Sequence, residues 1–231
     1  MSYSAPAVLA AAALAGLAAC SGEHADRTPA TQADSQPPPA TAGATPSGDS
    51  TFVARLSPLN DSVTGTSPAG EVRFTFAGDS LTITTQATGL PKDITHWQHF
   101  HGFKDGKNAT CPTASADKNG DGIVDLIETE ATSGTTMVPF IEDPVSMDVA
   151  KGTYPKASAD GALDYRKTVV ASALEAAFGK AFPGQKLELD KRVVFIHGVP
   201  ESTKLPKSVA SLGPLPATVT IPIACGKIER Q

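Results

Sequence analysis

Three stretches of the chain alternate apolar and polar residues: 52–56 (Phe-Val-Ala-Arg-Leu), 70–76 (Gly-Glu-Val-Arg-Phe-Thr-Phe) and 80–86 (Ser-Leu-Thr-Ile-Thr-Thr-Gln). Successive side chains of an extended strand point to opposite faces, so each stretch has one apolar and one polar face, as in a half-buried antiparallel strand. Ala77-Gly78-Asp79 is placed as a hairpin turn between the second and third. Segments 94–103, 187–197 and 218–228 are rich in β-branched and aromatic residues and read as further strands. Six or more short strands with turn signals predict an all-β sandwich or barrel. One segment departs from this pattern. Leu163, Val170, Leu174, Phe178 and Phe182 recur at helical spacing and Pro183-Gly184 closes the run, which predicts a helix over 163–182.

The chain has 231 residues, 40% of them apolar and 6% aromatic, with a net charge of −5. That suffices for one domain with appendages. No basic cluster is visible, which argues against nucleic acid as a partner. Residues 7–19 are small and apolar, too few for a bilayer span and right for a signal-peptide core. The run ends in Leu17-Ala18-Ala19-Cys20, which resembles the bacterial lipoprotein box. That resemblance implies a signal peptide over 1–20, lipidation of Cys20, a membrane partner through the lipid anchor, and a place in the bacterial cell envelope facing periplasm or exterior. Met1-Ser2-Tyr3-Ser4 lacks the usual positive charge, so an Ala-rich disordered leader is the alternative. Residues 21–50 are Ala, Thr, Pro, Ser, Gly, Gln and Asp with almost nothing to bury, and read as a disordered tether. As a flexible coil it reaches on the order of 30 Å from Cys20. The folded domain is then 51–231.

Four of the five histidines fall in His96-Trp97-Gln98-His99-Phe100-His101 and Phe195-Ile196-His197. In a strand His99 and His101 share one face while Phe100 takes the other. His197 ends Val193-Val194-Phe195-Ile196-His197, a strand that a sheet could set beside the first. Three neutral imidazoles suit copper or zinc far better than calcium or magnesium.

At these residues the chain resembles the copper/zinc superoxide dismutases. Gly89-Leu90 precedes the ten positions from His96 to Asp105, and Cys111, Val194-Phe195-Ile196-His197 and Ala224-Cys225-Gly226 follow in the family's order. Val63-Thr64-Gly65 and Gly70-Glu71-Val72-Arg73-Phe74 are similar to its first hairpin. The resemblance spans about 52–231 in short motifs. It implies a Greek-key β-sandwich or barrel of superoxide dismutase-like type, with 140–186 as a helical insertion. It also implies copper on His99, His101 and His197, a Cys111–Cys225 disulfide, and His96 as a packing and hydrogen-bonding residue. Two departures stand out. No histidine lies between His101 and His197, where the family has its zinc ligands and bridging imidazole, and Pro222 stands where the family has the arginine that guides superoxide. Whether the chain dismutates superoxide is therefore open. A non-enzymatic lipoprotein that stores copper or passes it between a donor and an acceptor is the alternative. A calcium-stabilised interaction module is the third, given a looser resemblance to chordin-type domains. Cysteine arithmetic agrees with the disulfide: if Cys20 carries lipid, Cys111 and Cys225 remain as a pair in an oxidising compartment, with two buried thiols as the other option.

The segment from Asp117 to Glu128 fits the EF-hand calcium loop at its defined positions. Asp117, Asn119 and Asp121 would give side-chain oxygens, Ile123 its carbonyl, Asp125 a water-relayed ligand and Glu128 both carboxylate oxygens. Gly122 permits the sharp turn. No long helix can enter through Ala109-Thr110-Cys111-Pro112-Thr113, so the loop is expected as a lone staple and not a calcium sensor; a solvated Asp/Gly turn is the bland alternative.

Overall fold

The structure is a computed structural model that describes residues 49–231. The expected signal peptide, Cys20 and the tether to residue 48 lie outside the described residues. Eight strands make the fold: β1 (Ser50–Pro58), β2 (Ala69–Ala77), β3 (Ser80–Thr88), β4 (Trp97–Gly102), β5 (Thr135–Pro139), β6 (Leu163–Val170), β7 (Val193–His197) and β8 (Pro222–Arg230). Among the described residues four α-helices interrupt them: α1 (Asp61–Thr64), α2 (Leu126–Ser133), α3 (Ala171–Ala181) and α4 (Ala217–Thr220). No helix of the described residues is long and apolar enough to cross a membrane.

The strands form one antiparallel sheet in the order β5-β4-β7-β8-β1-β2-β3-β6. The chain leaves β3 for β4 in the other half, returns to β6 beside β3, and crosses again to β7 beside β4. These are Greek-key connections, and the sheet curls into a half-barrel. Tyr165 of the edge strand β6 reaches the segment that follows β5: its Oη donates to the carbonyl of Ile141 at 2.8 Å, and its ring stacks near Phe140. Inward residues of β2 and β3 fill the core, with Phe74 opposite Ile83 and Phe76 opposite Leu81 in register. The expected hairpin turn is present, and Gly78 takes the left-handed φ of 56° it requires. The same turn serves a second element: both oxygens of Asp79 accept from Ser172, one from its N–H and one from its hydroxyl, at the first turn of α3.

The helix expected over 163–182 is corrected by the structure. Its first half is β6, paired with β3 from Ser80↔Val170 to Ala87↔Leu163, and the helix starts only at Ala171. Leu163 and Tyr165 are buried while Asp164 and Arg166 are exposed, a period of two that the sparse helical spacing concealed. The segment 140–186 thus supplies a strand of the barrel as well as a helix. α3 buries Leu174 and Phe178, and the Phe178 ring meets Phe100 from inside the barrel.

Arg192 is fully buried at the barrel end that α3 closes. Its guanidinium donates to the carbonyls of Leu187 at 3.0 Å and Lys186 at 2.8 Å and lies 5.7 Å from the centre of the Phe178 ring. A side chain at Gly102 would collide with it, since a Cβ there would sit 2.4 Å from Nη1.

Candidate metal centre

β4 and β7 pair antiparallel, with Trp97 opposite His197, His99 opposite Phe195 and His101 opposite Val193. Every one of these side chains therefore leaves the sheet on the same face, away from the barrel core that takes Phe100, Val194 and Ile196. His197 is diagonal to His99, and the two ring centres lie 4.6 Å apart; His99 and His101 are 4.8 Å apart. Phe195 sits among them, edge-on to His101 at 4.7 Å and 5.6 Å from His197. Its role was not read from the sequence, although its place two residues before His197 on a strand puts it on the histidine face.

Each imidazole offers one nitrogen, and the three nitrogens lie within 4.8 Å of one another. Metal–nitrogen bonds of about 2.0–2.1 Å require them to draw in by the order of an ångström, a shift that χ rotation of the three rings can supply. Two tautomers follow from the partners, because a carbonyl oxygen only accepts. His197 Nδ1–H donates to the carbonyl of Thr220 at 2.7 Å, which leaves Nε2 as a lone pair. His101 Nδ1–H donates to the carbonyl of Gly134 at 3.3 Å, and its Nε2 accepts from the Thr136 hydroxyl at 3.1 Å. Backbone carbonyls that fix a ring this way are the usual outer partners of metal-bound histidine. The Gly134 carbonyl reaches His101 from a backbone with φ 70°, and a Cβ there would stand 2.2 Å from the carbonyl oxygen of Gly102. Only glycine fits.

Two buried ring nitrogens of the cluster have no hydrogen-bond partner: His99 Nδ1 and His197 Nε2. An unsatisfied buried polar atom costs about 1–3 kcal/mol, and natural proteins leave few of them. The three rings form a neutral, nitrogen-only donor set that fits copper or zinc. Burial is the first cause of the rings' neutrality. It holds His99 well below the ordinary imidazole value, with the neighbouring His197 and His101 adding to it. It pushes His101 down to about 3, again with His197, and His197 down to about 4 against the opposing pull of the Thr220 carbonyl. Protons therefore compete little for these lone pairs.

His96 stays out of the cluster, as expected. It is buried, with Nδ1 3.0 Å from the carbonyl of His197 and Nε2 2.8 Å from that of Pro91, and it ties the end of β7 to the approach to β4. The expected disulfide is present: Cys111 and Cys225 are bonded, and Cys225 lies opposite Phe195 on β8. Pro222 opens β8 opposite His197.

The loop 117–128 is arranged differently from the histidines. Among the described residues no second group of three His, Cys, Asp or Glu side chains converges. The loop's oxygens are taken up by its own backbone: Asp117 accepts from the N–H groups of Gly120 and Gly122, Asn119 from Asp121, Asp121 from Ile123, and Glu128 from Lys118 and Asn119. Asp125 is the N-cap of α2, accepting from the N–H groups of Ile127 and Glu128, and Glu128 Oε2 accepts in turn from the Asp125 N–H. This outgoing helix was missed in the sequence; the signal was Asp125-x-x-Glu128, a capping box. Asp121 and Asp125 also reach across to a later segment, accepting from the Ser208 hydroxyl at 2.5 Å and the Ala210 N–H at 2.6 Å.

That later segment forms one side of a cleft over His99 and His197 with a volume of about 580 Å³. Leu212, Leu215 and Val219 line it from one side and Trp97 and Val149 from the other; Lys151 is the one formally charged side chain in its lining.

Fold and site together define a class: an antiparallel Greek-key half-barrel carrying three buried histidines on the outer face of β4 and β7. No protein family model and no curated protein matches the chain. Among solved structures it is similar to a double mutant of a SOD-like protein from Bacillus subtilis, at 15% identity over 75% of this chain and 94% of that one, with a TM-score of 0.40. It is also similar to a Cu/Zn superoxide dismutase from Brucella abortus, at 21% identity over 78% of this chain and 99% of that one, with a TM-score of 0.40.

Proposed function

We propose that this chain is an exported copper-binding protein of superoxide dismutase-like type, with His99, His101 and His197 as its metal ligands. One observation supports the reading above all others: three buried imidazoles converge with two ring nitrogens unpaired, an arrangement that destabilises the fold unless a metal accepts the lone pairs. Three uncharged donors and no carboxylate favour copper(I), which accepts three-coordination. When bound, copper would supply one-electron chemistry. The chain's own residues do the rest. Thr220 and Gly134 hold two rings in the ligating tautomer, and Phe195 packs against both of them. Superoxide dismutation is expected to be slow, because no histidine lies between His101 and His197 to bridge a second metal and Pro222 stands in place of a guiding cation. The role is then closer to holding or passing copper than to fast turnover.

Copper loading of the full chain followed by metal analysis tests this. One copper per chain is expected, falling when His99, His101 or His197 becomes Ala and unchanged for His24→Ala; equal binding by all variants would sink the proposal. Calcium on the loop 117–128 and lipid on Cys20 belong to the same proposal. The first is supported by the loop's complete ligand pattern and should raise the melting midpoint, an effect that Glu128→Gln abolishes. The second should appear as labelled palmitate that enters the chain but not a Cys20→Ala variant.

A further inference from the structure

The geometry points to the cleft over the histidines as a binding site for a planar aromatic molecule with one azole or hydroxyl head, seated with that head toward His99 and His197. This names a ligand class for the proposed metal centre and rests on that reading for the metal-bound form. The cleft's volume of about 580 Å³ falls within the roughly 300–1,000 Å³ of ordinary small-molecule sites, far more room than a diatomic anion needs. Its lining is mostly apolar, with a few polar groups at His99, His197, Thr136 and Thr220, and a single charge at Lys151. That is the composition of a site that orients an apolar body by one polar end.

Both walls are held in place before anything binds. Trp97 stacks on Tyr154 at 4.8 Å with an interplanar angle of 13°, and Tyr154 Oη donates to the carbonyl of Val149 at 2.9 Å, so indole, phenol and Val149 form one rigid side. On the other side the Leu215 N–H donates to the carbonyl of Leu212 at 3.1 Å, the Ser211 and Thr220 hydroxyls bond at 3.1 Å, and Asp125 anchors the Ala210 N–H. A flat indole wall and a preformed slot favour a flat ring, because little entropy is lost in ordering either side. The unpaired nitrogens of His99 and His197 give the head its partner: they accept from its N–H or O–H, and with metal present the azole's second nitrogen or the hydroxyl oxygen has a lone pair to offer. Leu212, 51% exposed, is apolar surface that such a ring would cover.

Trp97 is the chain's single tryptophan, so intrinsic fluorescence reads this wall directly. The full chain, stripped of metal by a chelator, is titrated with 4-phenylimidazole and separately with imidazole. Saturable change in Trp97 emission is expected for 4-phenylimidazole, with affinity about tenfold or more above imidazole, since the extra ring fills apolar space. Leu212→Asn, at a half-exposed position outside the core, should weaken 4-phenylimidazole about tenfold while copper stoichiometry and melting midpoint hold. Equal affinity of the two probes, no saturation, or indifference to Leu212→Asn overturns the inference. The two readings fail separately: loss of copper stoichiometry with saturable 4-phenylimidazole binding removes the metal and leaves the cleft, and the reverse result removes the cleft alone.

Discussion

Each imidazole of the cluster is neutral because it is buried, and that neutrality makes the metal-free fold sensitive to acid. The unfolded chain takes up protons at the ordinary value of 6.5, whereas folded His197 and His101 resist until about 4 and about 3. Between those limits the unfolded state binds more protons, so the stability these residues contribute is complete above pH 6.5 and is lost as pH falls through the window. Each histidine adds a slope of up to about 1.4 kcal/mol per pH unit. Urea midpoints of the chelated protein should drop between pH 7 and 4, and a His197→Gln variant should show a shallower drop. A variant with the same slope as the parent would remove His197 from the explanation.

At the scale of elements, α2 and the segment 208–215 carry the site as much as the strands do. Asp125 caps α2 with one carboxylate oxygen and holds Ala210 with the other. Asp125→Ala, with chelator present so that calcium plays no part, should cost about 1–2 kcal/mol in urea unfolding through the lost cap and shift Trp97 emission as the cleft wall loosens. An unchanged spectrum would show that the wall stands without Asp125. β1, β2 and β3 were legible in the sequence because each has one wet face and so keeps its alternation. β7 is buried on both faces and announced itself only by β-branched and aromatic content, and β5, five residues ending in Pro139, gave no signal of its own. β6 was hidden inside a helical spacing that is real only from Ala171 onward. His99 and His101 on one face followed from a period of two, and His197 beside them from the β-branched strand it ends, with the family resemblance adding the ligand register. The cleft, the Thr220 and Gly134 carbonyls, and the buried Arg192 were not legible, since they arise from contacts between residues far apart in the chain.

The described residues, taken together, form a half-barrel whose outer face is braced by the Cys111–Cys225 bond, which links residues 114 positions apart behind β7 and β8. Closing a loop of that length nominally stabilises by about 4–5 kcal/mol, so a Cys111→Ala/Cys225→Ala double variant should unfold about 2–5 kcal/mol more easily in urea. A loss well under 1 kcal/mol would mean that strand pairing alone fixes β8. The brace, the barrel and the carbonyl-oriented rings all bear on the proposed centre, three nitrogens around one metal. X-ray absorption of the copper(I)-loaded full chain reads that outcome most directly. Three imidazole nitrogens at about 2.0 Å are expected, reduced to two when His197 becomes Ala; a shell of sulfur or of carboxylate oxygens, or a spectrum indifferent to the loss of His197, would contradict the account.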